Sequence, residues 1–172
     1  WSFSSFYQQV DIIASQLVSE YGIVKGDRVA IAMRNYPEWM TIFVAIVSLG
    51  AVAVPINSWG QKEELLYALD DSGAKLVFCD WQRYQYIVDD LSTHQTHAIV
   101  VRTEYPINDI NSQYFAAFTD VTTPFDLPHA EVTAEDMAVI MYTAGTTGKP
   151  KGVVSNQRNV IQAIYAFEYG GV

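Results

Sequence analysis

Residues 40–56 read MTIFVAIVSLGAVAVPI, and the way this apolar run divides decides the fold. Taken whole, it approaches the roughly 20 residues that a membrane span needs. Its punctuation argues for two shorter elements. Pro37 and Glu38 stand just ahead of it as a helix first turn, Gly50 sits where a helix stops, and 51–54 is a short apolar run closed by Pro55. One helix followed by one buried strand is therefore expected, and no transmembrane span.

The same rhythm continues on both sides. Toward the N-terminus, residues 29–33 form a short apolar strand entered from a turn at Gly26 and Asp27. Before it, Phe6, Val10, Ile13 and Leu17 recur at helical spacing behind the candidate caps Ser4 and Ser5, with Gly22 closing the helix. Toward the C-terminus come a helix at 61–72 with Leu65, Leu66 and Leu69 inward and Gly73 as its stop, then a strand at 76–79. A helix at 81–91 and a strand at 98–101 follow. Alternation of this kind predicts an α/β fold, a mainly parallel sheet with helices on both faces.

Residues 102–132 lose the rhythm and read as a connector, rich in Asp, Asn, Thr and Pro, with one short helix near Phe115. Thr133 with Asp136 resembles a helix-starting box, and 137–142 is a buried strand. The chain thus divides into a βα region at 1–101, a connector at 102–132, and a strand, loop and following helix at 133–172.

Half of the residues are apolar, ample for one domain's core, and only 17% are charged, which points to some surface that meets another domain or subunit. A net charge of −9 with ten basic residues excludes a general nucleic-acid binder, because such binding neutralises many phosphates. Cys79 is the one cysteine, lies in a strand-like run, and reads as a buried structural thiol in the reducing cytoplasm. The chain begins at Trp1 with no basic leader or secretion signal and stops at Val172 just after a helical pattern, so a fragment is expected.

Residues 142–152 read YTAGTTGKPKG: three glycines, three threonines and two lysines directly after a strand. Glycines allow the left-handed turns that aim successive N–H groups at phosphate oxygens. Thr143, Thr146 and Thr147 add hydroxyl donors, and Lys149 and Lys151 add positive charge for a triphosphate. The surroundings agree: residues 137–167 hold none of the nineteen acidic residues and three of the ten basic ones. A Walker loop fails on spacing, since only Thr146 and Thr147 separate Gly145 from Gly148, and Pro150 stands where a magnesium-binding Ser or Thr should follow the lysine. On the residues alone, a hairpin loop rich in turn residues remains the other reading.

At this loop the sequence closely resembles the adenylate-forming superfamily of acyl-CoA synthetases, aryl-CoA ligases, luciferases and peptide-synthetase adenylation domains. Their signature, an aromatic residue, then TSGTTG, any residue and PKG, is matched by Tyr142, Thr143, Gly145, Thr146, Thr147, Gly148, Pro150, Lys151 and Gly152. Gly26 and Asp27, the run LGAVAVPIN at 49–57 and DSGAK at 71–75 extend the resemblance over almost the whole chain. It implies the N-terminal portion of that family's large domain, with Thr143, Ala144, Gly145, Thr146, Thr147, Gly148, Lys149 and Lys151 in a loop that holds the β- and γ-phosphates of ATP. The implied reaction is attack of a small carboxylic acid on the α-phosphorus, with magnesium, and transfer of the acyl group from the adenylate to coenzyme A. The rest of the catalytic domain and the C-terminal lid domain are implied to lie downstream, so neither a catalytic residue nor a metal ligand is assigned within this chain.

Two positions depart from the pattern. Ala144 replaces a serine, removing one hydroxyl, and Gln157 stands where a histidine is usual. Asn57, where peptide-synthetase domains tend to carry Asp, leans toward the CoA-ligase branch. An adenylation domain feeding a carrier protein, and a non-catalytic anion-binding module, are the alternatives. Elsewhere, His94 and His97 at a helical spacing lack accompanying ligands, the adjacent carboxylates at 70–71 and 89–90 point apart on a helix, and Arg158 either steers anions or caps a surface.

Overall fold

The computed structural model describes residues 2–121, 130–143 and 149–170. Seven strands form one sheet: β1 (Arg28–Ala32), β2 (Val52–Pro55), β3 (Leu76–Asp80), β4 (His97–Val101), β5 (Ser112–Tyr114), β6 (Met137–Thr143) and β7 (Lys151–Asn156), in the spatial order β5-β4-β3-β1-β2-β6-β7. All neighbours pair in parallel except β6 with β7, which run antiparallel. The α/β fold with a mainly parallel sheet is thus what the chain adopts.

Period-two alternation sends successive strand residues to opposite faces. On one face Val29, Ile31, Ala53, Phe78 and Ile99 pack against α1 (Phe3–Ser19), α2 (Pro37–Ser48) and α6 (Phe115–Thr119). On the other, Ala30, Val54, Val77, Cys79 and Ala98 pack against α3 (Lys62–Ser72), α4 (Trp81–Ile87) and α5 (Leu91–His94). Residues 40–56 are divided as their punctuation requires: α2 ends at Ser48 with Leu49 as its cap, Gly50 takes φ 68°, and β2 follows. No helix among the described residues is long and apolar enough to cross a membrane.

β1 is followed by a helix on one face of the sheet, and its neighbours β2 and β3 by helices on the other. Such a switch point opens the carboxyl edge of the sheet, where open α/β sheets bind ligands.

Several expectations need correction. The cap of α1 is Ser2, which exchanges hydrogen bonds with Ser5, so the helix starts ahead of Ser4. The helix expected at 81–91 breaks at a 3-10 turn, Val88–Asp90, between α4 and α5. His94 therefore ends a helix while His97 opens a strand, and the two share no helix face. The connector holds an edge strand, β5, besides the short helix α6 that Phe118 anchors in the core. Thr133 does donate its N–H to Asp136, at 2.6 Å, but the turn leads straight into β6 instead of a helix. β6, expected to be buried along its length, is buried at Ala138 and Val139 only; Met137 at its start and Met141 near its end are exposed. Cys79 is fully buried, and burial first, then the Asp80 charge, pushes its thiol well up, as fits an inert core residue.

Candidate active site

The glycine and threonine segment joins β6 to β7, so the loop is the tip of an antiparallel hairpin whose base enters the sheet beside β2. Pairing brings Tyr142 opposite Gly152 and Thr143 opposite Lys151, and the Thr143 hydroxyl donates to the Lys151 carbonyl at 3.5 Å. Gly152 is needed where it stands: a Cβ there would lie 3.0 Å from Ile140 Cγ2 and 3.4 Å from Tyr142 Cζ. Of the expected phosphate-loop residues, Thr143, Lys149 and Lys151 are placed, while Ala144, Gly145, Thr146, Thr147 and Gly148 lie outside the described residues.

Two recesses flank the hairpin. A small one of about 90 Å³ is lined by Ile56, Asn57, Glu64, Ala68, Tyr142, Thr143 and Pro150. The other, about 550 Å³ and almost wholly apolar, lies on the opposite face of β6, between Trp39 and Phe43 of α2, Met141 and Ser155 of the hairpin, and Ala163, Ile164 and Phe167 of α7 (Gln157–Gly170). The side chain of Asn156 accepts from the Asn159 N–H and so starts α7. Gln157, standing in for the family's usual histidine, donates to the Val47 carbonyl at 3.3 Å and ties that helix to the end of α2. Arg158, for which steering an anion and capping a surface were both open, pairs with the exposed Glu135 carboxylate and serves the surface.

Sequence reasoning missed two clusters, the first of them at the carboxyl edge. In the first, the Asp80 carboxylate receives the Arg83 guanidinium at 3.1 and 3.2 Å, the Arg34 N–H at 3.1 Å and the Arg83 N–H at 3.2 Å. Arg83 also donates to the Ser58 carbonyl, and the Arg34 guanidinium lies 3.5 Å over the ring of Trp59. One buried carboxylate thereby fastens the segments that follow β1, β2 and β3, including Asn57 of the small recess. An Asp at a strand end with Arg three positions on was the visible signal. In the second, the Tyr142 hydroxyl donates to Asp71 at 2.7 Å, and burial first, with that carboxylate next, holds the phenol above its ordinary range. No local pattern announces it, because α3 and β6 are far apart in sequence.

Comparison with known proteins bears on this arrangement. The model of the AMP-binding enzyme family matches residues 1–171. A crotonobetaine/carnitine–CoA ligase of Citrobacter koseri is 31% identical over 96% of this chain and 32% of its own length. A long-chain-fatty-acid–CoA ligase of Mycobacterium tuberculosis, FadD13, is 35% identical over 91% of this chain and 30% of its own. Among solved structures, a Mycobacterium tuberculosis fatty acyl CoA synthetase superposes with a TM-score of 0.76 at 28% identity, over 98% of this chain and 31% of that one. An anthranilate CoA ligase, AuaEII, in complex with anthranoyl-AMP gives 0.80 at 26% identity, over 91% of this chain and 30% of that one. The chain spans about a third of the length of these relatives. With the switch-point sheet, the hairpin loop and a family match over nearly every residue, the chain belongs to the AMP-binding enzymes.

Proposed function

We propose that this chain is the N-terminal part of an acid–thiol ligase, in which the loop from Thr143 to Lys151 holds the β- and γ-phosphates of ATP while a carboxylic acid attacks the α-phosphorus. One observation carries the reading: a loop rich in glycine, threonine and lysine at the tip of a hairpin on the open carboxyl edge of a parallel sheet, with two recesses at its base. Nucleotidyl transfer needs positioning and charge stabilisation more than covalent help, and loop amides, hydroxyls and Lys151 supply both.

The apolar groove beside the hairpin offers one wall for an acid with an apolar body, whose carboxylate would then reach toward the phosphate loop. The ligases among the relatives are named as CoA ligases, which supports coenzyme A as the acceptor thiol. Among the described residues no group of three or more His, Cys, Asp or Glu is placed to hold a metal; magnesium would enter the site with the phosphates of ATP.

The test is ATP–pyrophosphate exchange driven by a panel of carboxylic acids in the full-length protein. Lys151→Ala is expected to cut exchange by about tenfold or more while the protein remains folded by circular dichroism. Undiminished exchange in a folded variant refutes the role of the loop.

A further inference from the structure

The two lysines of the loop have different surroundings. Lys151 is the cross-strand partner of Thr143, which borders the small recess, whereas Met141 and Ser155 line the apolar groove. Lys149 lies on the α3 side, its ammonium 5.0 Å from the centre of the Tyr67 ring. Tyr142 is on that side too: its ring meets Tyr67 edge to face at 6.2 Å and its hydroxyl donates to Asp71. The Tyr67 hydroxyl stands 3.4 Å from the other oxygen of the same Asp71 carboxylate. Residues 67 and 71 are one helical turn apart, so a single turn of α3 receives both stems of the loop, Tyr142 on entry and Lys149 on exit.

We infer that Tyr67 and Asp71 are positioning residues that brace the two stems of the phosphate loop, and that Lys149 belongs to this brace, which leaves Lys151 as the lysine that meets the anion. The inference rests on the triphosphate reading above and deepens it, giving a role to Lys149, which stands at the variable position of the signature. A cation over an aromatic face is a modest contact. Here it works together with the Tyr142 hydrogen bond on the same carboxylate, and small errors in placing a phosphate are costly in rate.

A double-mutant cycle in the full-length protein, read by kcat and by KM for ATP in pyrophosphate exchange, tests this. Y67L and K149A are each expected to raise KM for ATP about threefold, with the double variant no worse than the worse single, since both remove one contact. Y67W, which keeps an aromatic face, and K149R, which keeps a cation, are expected to recover most of the loss. Effects that multiply in the double variant, or K149R behaving as K149A, overturn the inference. Hydrogen exchange at amides 142–152, measured without ATP or acid, separates it from the function on which it rests. Y67L, D71N and K149A are expected to speed exchange there about tenfold. Faster exchange in a protein that activates no acid upholds the brace and sinks the triphosphate reading, whereas unchanged exchange in all three sinks the brace.

Discussion

Replacing Arg83 by Met removes the guanidinium from a pair whose side chains are only 6% and 9% exposed. The variant leaves the Asp80 carboxylate buried with no cation. Removing one partner of a buried pair costs about 3–5 kcal/mol, most of it the penalty of the orphaned charge. Two backbone N–H groups, of Arg34 and Arg83 itself, still reach Asp80 at 3.1 and 3.2 Å, which places the cost at the lower end, about 3 kcal/mol. With a urea slope of about 2 kcal/mol per molar, the unfolding midpoint should fall by about 1.5 M. Lys62→Ala is the internal control, because its pair with Asp90 at 2.8 Å is 44% and 32% exposed. An exposed pair is screened by water and salt and contributes little, so the midpoint should move far less than in the Arg83 variant. Equal midpoints for the two variants refute the claim that the Asp80 cluster holds the carboxyl edge together.

Two further outcomes follow from single residues. Gly73 closes α3 at φ 60°, and an added Cβ would stand 2.9 Å from Arg28 Nη2, so Gly73→Ala should cost the left-handed penalty of about 1–2 kcal/mol plus the displacement of that arginine. Gly22→Ala, at the same φ with nothing within 4 Å, should cost the backbone penalty alone, and thermal melts that rank Gly22→Ala as the worse contradict this. The Tyr142 phenol is raised by burial first and by Asp71 second, so the stability it contributes is complete below its unfolded value of about 10 and is lost as pH rises beyond that. Tyr142→Phe should flatten the alkaline limb of a stability-against-pH curve, and an unchanged limb assigns that loss to other groups.

The order of strands and helices was legible because each element carries its own period and stop. Gly50 and Gly73 both adopt positive φ just past helices that the sequence ends there. What was lost depended on partners elsewhere in the chain. β5 is three residues long and exists because Ala98, Ile99 and Val100 offer it an edge. β7 follows a loop dense in glycine and threonine, and its Lys151–Asn156 run has no apolar alternation of its own; it is a strand because β6 pairs with it from Thr143 to Met137. The break within 81–91 was not legible either, because Tyr84, Ile87 and Leu91 keep the i, i+3, i+7 spacing that an unbroken helix would also turn into one core.

The site divides along the same line. Residue types within the loop suit phosphate chemistry, since amides, hydroxyls and ammonium groups share one short segment, but composition alone fits a turn-rich hairpin as well. The direction of each side chain is set by the sheet register, which no window of sequence contains. Thr143 stands opposite Lys151 at the mouth of the small recess, and the ring of Tyr67 draws Lys149 to the α3 side. A one-residue slip between β6 and β7 would exchange the two faces while leaving the motif letter for letter intact. At Gly152 an added Cβ would stand 3.0 Å from Ile140 Cγ2, so a side chain there would have to displace the isoleucine or shift the pairing.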